Sequence, residues 1–176
     1  RVITEIADIE QSMREDSATF VSKYLSPEEQ AAFAKLKVDK RRFEWLSGRV
    51  AAKRLLREVR FHSEGSIVAP SAIVVMPDEW GAPKISVVGE NSSDIYLSIS
   101  HAGGLAVAAC VIDGQQRCGV DVEVVEKRAD SFRRDYFSKK EQAWVANKSN
   151  PDLALTELWA LKESVLKVLG IGARVD

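Results

Sequence analysis

Cysteine is scarce in this chain, and charge of one sign is not in excess. Two cysteines in 176 residues, Cys110 and Cys118, are too few and too ill-spaced for a disulfide framework or a zinc site. Lys and Arg number 25 against 26 Asp and Glu, a net charge of −1, so the basic bias of a general nucleic-acid binder is lacking. No run of about eighteen apolar residues and no charged-then-apolar leader is present, so nothing signals a membrane span or secretion. The expectation is a monomeric cytoplasmic protein with reduced thiols and neither nucleic-acid nor membrane partners. What is present suffices for a core: 45% hydrophobic residues over this length supports one large domain or two small ones. The first residue is Arg1 rather than a methionine, so a segment of a longer chain is expected.

The stretch from Trp159 to Lys167 carries both packing and chemistry. Read as a helix, it places Ala154, Leu158, Leu161, Val165, Val168 and Leu169 on one stripe, while Trp159, Glu163 and Lys167 step by four along another face. Glu163 and Lys167 alone read equally well as a solvated pair worth a few tenths of a kcal/mol. Forty residues upstream, Gly119-Val-Asp121-Val-Glu123 alternates acids with valines, the period of a half-buried strand. That pattern puts Asp121 and Glu123 on one face, about 7 Å apart by strand rise. Such a pair is either a solvent-facing acidic edge or a cation site. Hard divalent cations such as Mg²⁺ use one or two carboxylates together with substrate phosphates.

Two residues of the first half also stand out. Arg49 falls within the apolar stripe of Trp45, Gly48, Ala52, Leu55, Leu56 and Val59, where an unpaired charge is costly. It either snorkels to water or points into a cleft at an anion, and the second reading is favoured. His101 follows a strand and precedes Ala-Gly-Gly; a hydrogen-bonded loop residue is the commoner use of such a histidine.

The chain repeats itself weakly. Tyr24-Leu-Ser26-Pro-Glu-Glu29-Gln30-Ala aligns with Tyr136-Phe-Ser138-Lys-Lys-Glu141-Gln142-Ala at an offset of 112, and both are capping boxes. Pro27 suits the first helical position. At an offset of 114, Trp45 falls on Trp159, Lys53 on Lys167 and Arg49 on Glu163. The fold class expected is α+β, with two pseudo-symmetric halves, 1–115 and 116–176. Each half would be a small antiparallel sheet packed against helices, with a ligand cleft between them. Helices are predicted near 26–37, 39–60, 138–147 and 152–169. Strands are predicted at 72–76, 95–100, 105–112 and 121–125, with a hairpin turn at Gly103-Gly104 and a turn at Asp113-Gly114.

Gly119-Val-Asp-Val-Glu123 followed by Trp159-x-x-Lys162-Glu163-Ser-x-x-Lys167 resembles the paired signature of the 4′-phosphopantetheinyl transferases. It is most similar to the two-domain type that activates nonribosomal peptide and polyketide synthases. Leu97-Ser-Ile-Ser100-His101, Phe137-Ser-Lys-Lys-Glu141 and Trp45-Leu-Ser-Gly48-Arg49 resemble further family segments, so the likeness covers nearly the whole chain. Two departures stand out. The family's Gly-Lys-Pro reads Gly81-Ala-Pro83-Lys84 here, and two-domain members generally continue past the equivalent of Asp176, so the second half is expected to lack its closing strands.

The resemblance implies transfer of the phosphopantetheine arm of coenzyme A to a serine of an acyl or peptidyl carrier protein, with release of adenosine 3′,5′-bisphosphate. It implies Mg²⁺ held by Asp121, Glu123 and Glu163, with Glu163 as ligand, general base or both. Lys167 and Lys162 would serve catalysis and phosphate binding. Arg49, Ser100 and His101 would hold the 3′-phosphate, and Trp159 would pack on the cofactor arm or close the interface. Arg41, Arg42 and Arg54 read as a solvated face that could meet an acidic carrier protein. The rival readings are a non-catalytic carrier-protein-binding module of the same fold and a metal-dependent nuclease.

Overall fold

The spacing of apolar residues in the first half folds into one long helix laid across a sheet. In the computed structural model, which describes residues 1–90, 95–112 and 116–170, the chain runs β1 (Val2–Glu5), α1 (Ile6–Tyr24), α2 (Pro27–Ala34) and α3 (Asp39–Glu64). A 3₁₀ turn at Pro70–Ala72 leads to β2 (Ile73–Pro77) and β3 (Pro83–Val87), then β4 (Tyr96–Ala102) and β5 (Leu105–Val111). Three helices follow: α4 (Asp130–Tyr136), α5 (Lys139–Ala146) and α6 (Pro151–Leu169). The fold is α+β, built on two small antiparallel sheets, one ordered β1-β5-β4 and the other the β2-β3 hairpin.

Ala51, Ala52, Leu55 and Leu56 of α3 bury against Ile73, Val75, Ile85, Val87, Leu97 and Ala108, so both sheets share one core. The other side of α3, through Leu46 and Val50, packs on Ile9, Tyr24, Leu25 and Phe33. Gly103 and Gly104, at φ of 57° and 80°, make the left-handed turn that joins β4 to β5 with His101 opposite Ala106.

The second half departs from expectation. Among the described residues it holds helices only, around Phe137, Val145, Ala154 and Leu155. The 121–125 segment is not a strand. Its neighbouring backbone groups are taken up by side chains instead: Val120 N–H donates to Ser98 Oγ at 3.0 Å, and Val120 C=O accepts from Lys167 at 2.9 Å. The expected stripe of α6 is buried only at its start. Of it Ala154 is covered, whereas Leu161, Val165 and Leu169 are exposed; Leu155, outside the stripe, is buried. The expected turn at Asp113-Gly114 lies outside the described residues.

Candidate active site

Strand alternation in β4 divides the labour of the site. Ile99 and His101 face α3 and line a cavity of about 610 Å³ together with Lys40, Arg41, Glu44 and Arg49. Ser98 and Ser100 face the other way and hold the 119–123 segment. The Ser100 hydroxyl donates to Asp121 Oδ1 at 2.7 Å, so it is a carboxylate partner here, not a lining residue of the cavity where the sequence placed it with His101.

Gly119 makes the next step possible. A Cβ there would lie 1.9 Å from the Ser164 carbonyl oxygen, so only glycine lets this segment rest directly on the α6 backbone. That seating brings Asp121 to Lys167. The Lys167 ammonium donates to Asp121 Oδ1 at 2.6 Å. Asp121 Oδ2 and Glu163 Oε1 are both buried without a hydrogen-bond partner. Burial, and then the Asp121 charge, pushes the Glu163 carboxyl above its ordinary pKa, with Lys167 opposing. Two buried carboxylate oxygens left unpaired on groups that feel each other's charge suit a hard cation.

Glu123 shares the face of Asp121 but is held separately. Trp159 Nε1 donates to its Oε1 at 3.1 Å, and Arg128 Nη2 to its Oε2 at 2.7 Å. Among the described residues, no three potential ligands stand close enough together to enclose an ion. Asp121 and Glu123 are each engaged by a cation of the chain itself. Asp121 and Glu163 fit Mg²⁺ through their unpaired oxygens; Glu123 adjoins them. Trp159 packs edge-on against Phe132 and Tyr136 of α4, within the second half, at 4.9 and 5.0 Å.

Arg49 does point into the cavity. Its guanidinium lies 3.3 Å from the centroid of the Trp45 ring, its Nε is buried without a partner, and burial pushes its pKa down to about 10. His101 stands 3.9 Å from Glu44 at the same cavity. Gly48 permits the approach of α3 to β4, since a Cβ there would meet Ile99 at 2.9 Å. Lys40, Arg41 and Arg128 were not recognised in the sequence as site residues. Arg41, Trp45 and Arg49 step by four, the same spacing that marked Trp159, Glu163 and Lys167, so that signal was there to read.

Lys162 lies apart from Asp121. Its ammonium donates to Tyr136 O at 2.9 Å and to Glu141 at 3.0 Å. Lys53 does the same in the first half, donating to Tyr24 O at 2.6 Å and to Glu29. In this staple Lys53 and Lys162 play the same part, at an offset of 109 beside the 114 that aligns Trp45 with Trp159. At that offset of 109 Arg49 answers to Leu158, and Glu163 to Arg54.

Residues 117–176 match the family described as the 4′-phosphopantetheinyl transferase superfamily. The chain is 31% identical over 106 residues to the holo-(acyl-carrier-protein) synthase of Oceanobacillus iheyensis, covering 60% of this chain and 87% of that one. It is 26% identical over 155 residues to the 4′-phosphopantetheinyl transferase gsp of Aneurinibacillus migulanus, covering 87% of this chain but only 59% of that protein. Among solved structures, the ACPS–CoA complex of Chronobacterium ammoniagenes superposes with a TM-score of 0.51 at 26% identity, over 62% of this chain and 90% of that one. The likeness extends over most of the length of a synthase more than 30% identical, and the family model matches the segment that holds Asp121, Glu123, Glu163 and Lys167; the chain belongs to the 4′-phosphopantetheinyl transferase superfamily.

Proposed function

We propose that this protein transfers the 4′-phosphopantetheine arm of coenzyme A to a serine hydroxyl of an acyl or peptidyl carrier protein, with Mg²⁺, releasing adenosine 3′,5′-bisphosphate. The observation that carries this reading is the pair of unpaired buried oxygens, Asp121 Oδ2 and Glu163 Oε1, beside the Lys167 ammonium. The division of labour follows the two halves, 1–115 for the 3′-phosphate and 116–176 for the pyrophosphate and the metal.

In this reading Arg49, Arg41, Lys40 and His101 hold the 3′-phosphate in the cavity they line. Asp121 and Glu163 would hold Mg²⁺, with Glu123 beside them; the ion supplies Lewis acidity that offsets the pyrophosphate charge. Lys167 stabilises the departing phosphate. Glu163 takes the serine proton, directly or through water, as the serine oxygen forms its bond to phosphorus and the bond to adenosine 3′,5′-bisphosphate breaks. The two-half organisation favours carrier domains of peptide or polyketide synthases as acceptors.

Incubating the protein with an apo carrier protein, coenzyme A and Mg²⁺ tests the reading. A carrier heavier by one phosphopantetheine is expected from wild type and none from Asp121→Ala. Glu163→Gln, which keeps an oxygen ligand but not a base, should lose about 10²–10⁴ in rate if the proton transfer counts. Arg49→Ala should weaken coenzyme A about ten- to a hundred-fold, but 3′-dephospho-coenzyme A little. Undiminished transfer by Asp121→Ala would refute the site.

A further inference from the structure

We infer that Lys167 is a resident counter-cation that keeps a divalent metal off Asp121 until the phosphates of coenzyme A draw it away, so that the metal binds with or after coenzyme A. The inference rests on the transferase reading above and adds an order of assembly to it.

The Asp121 side chain is only 6% exposed, and a carboxylate so placed needs a counter-charge at all times. Lys167 supplies it. Its ammonium is fixed by two acceptors, Asp121 Oδ1 at 2.6 Å and Val120 O at 2.9 Å, and Ser100 adds a hydroxyl donor to the same Oδ1. Oδ1 is thus fully engaged, and a divalent ion approaching Oδ2 and Glu163 Oε1 would meet a positive charge on the same carboxyl group. Glu123 is neutralised likewise by Arg128.

The two cations differ in what they can do next. Arg128 lies over the Phe132 ring at 4.7 Å and is 19% exposed, so it stays with Glu123. Lys167 ends a flexible four-carbon stem, and it also lines a second cavity of about 580 Å³ with Lys84, Arg117 and Tyr96. An anion arriving along that cavity finds Lys167 at its wall. A pyrophosphate would attract the ammonium, release Oδ1, and bring its own oxygens for the metal in the same event. Without phosphate, lysine and metal compete; with it, they cooperate.

The test measures metal binding, not turnover. Mn²⁺ stands in for Mg²⁺, and free Mn²⁺ is counted by electron paramagnetic resonance with and without coenzyme A, no carrier protein being present. Wild type should bind Mn²⁺ weakly alone and well with coenzyme A. Lys167→Met should bind Mn²⁺ alone about tenfold or more tightly than wild type, the scale of one like charge removed from beside the ion. Lys167→Arg, which keeps the charge, should stay as weak as wild type, and Ser100→Ala should change far less than Lys167→Met. Circular dichroism confirms that each variant is folded, and Lys167→Gln replaces the methionine variant should that one unfold. Tight binding by wild type with coenzyme A, but no gain in Lys167→Met alone, would overturn the inference and leave the transferase reading standing. Equal gains from Lys167→Arg and Lys167→Met would overturn it too. Failure of wild type to bind Mn²⁺ even with coenzyme A would remove the metal site and the inference together.

Discussion

The two halves contain the same staple in different surroundings. In each, a capping-box serine opens a short helix, its glutamate accepts from the serine N–H, and a glutamine donates to the carbonyl just before the serine. A lysine of the following long helix then donates both to that glutamate and to a tyrosine carbonyl. In the first half Lys53 and Glu29 are 0% exposed, and the second Glu29 oxygen accepts from Val75 N–H of β2. In the second half Lys162 and Glu141 are 31% and 30% exposed, and no strand among the described residues plays the part of β2. Local sequence therefore specifies the staple, and whatever covers it decides its energetic weight.

The sharpest way to break that comparison is to remove each lysine. Lys53→Met leaves the Glu29 carboxylate buried without a cation and should cost about 3–5 kcal/mol in urea unfolding. Lys162→Met removes a pair that water already screens and should cost no more than about 1 kcal/mol. Equal costs would mean that the Lys162 staple is covered as completely as its counterpart. If Lys162→Met instead abolished transfer with stability intact, the phosphate-binding role implied by the family motif would be restored.

The pH dependence of that smaller cost sharpens the point. Glu141 is held below the usual carboxylate range, first by the Lys162 hydrogen bond and then by Ser138. A depressed carboxylate contributes stability above its ordinary pKa and loses it as pH falls through the lowered value. The difference between Lys162→Met and wild type should therefore be constant near neutrality and vanish in acid. A difference that persists below the lowered pKa of Glu141 would assign the cost to lost packing over Phe137, where the Lys162 ammonium lies 4.7 Å from the ring.

What sequence made legible follows the same line between local and covering interactions. Both capping boxes and the Gly103-Gly104 hairpin announce themselves by capping and turn residues, α3 and α6 by 3.6-residue periodicity, and they are where expected. α1 was missed because few of its residues are buried and its backbone breaks at Asp16; α4 buries none. The valine–acid alternation at 119–125 did put Asp121 and Glu123 on one side, but alternation does not supply a partner strand. At the site, Arg49 with His101 and Asp121 with Glu163 and Lys167 each come together. Arg128 gave no signal, since its pairing with Glu123 depends on a turn of the chain rather than on any period.

The 109 offset of the staple lysines yields the smallest effect and the finest test. It places Glu163 on Arg54 and Lys167 on Glu58, and both first-half residues are exposed. Equivalent helical positions thus carry solvated charges in α3, while in α6 they are pressed against the segment seated by Gly119. Arg54→Gln should leave stability unchanged. Glu163→Gln should raise it slightly at neutral pH, the sort of gain found where a site residue is kept for activity. The sign follows from the raised Glu163 pKa, caused first by burial and then by Asp121. Such a group contributes stability fully below its ordinary pKa and loses it as pH rises through the raised value, because the unfolded chain ionises first. Gln mimics the neutral carboxyl at every pH, so the gain should be absent in acid and complete above the raised pKa. Urea midpoints of both variants across that range decide it: a gain independent of pH would place the strain in packing against Gly119 rather than in charge, and a gain in Arg54→Gln as well would dissolve the contrast between the two helices.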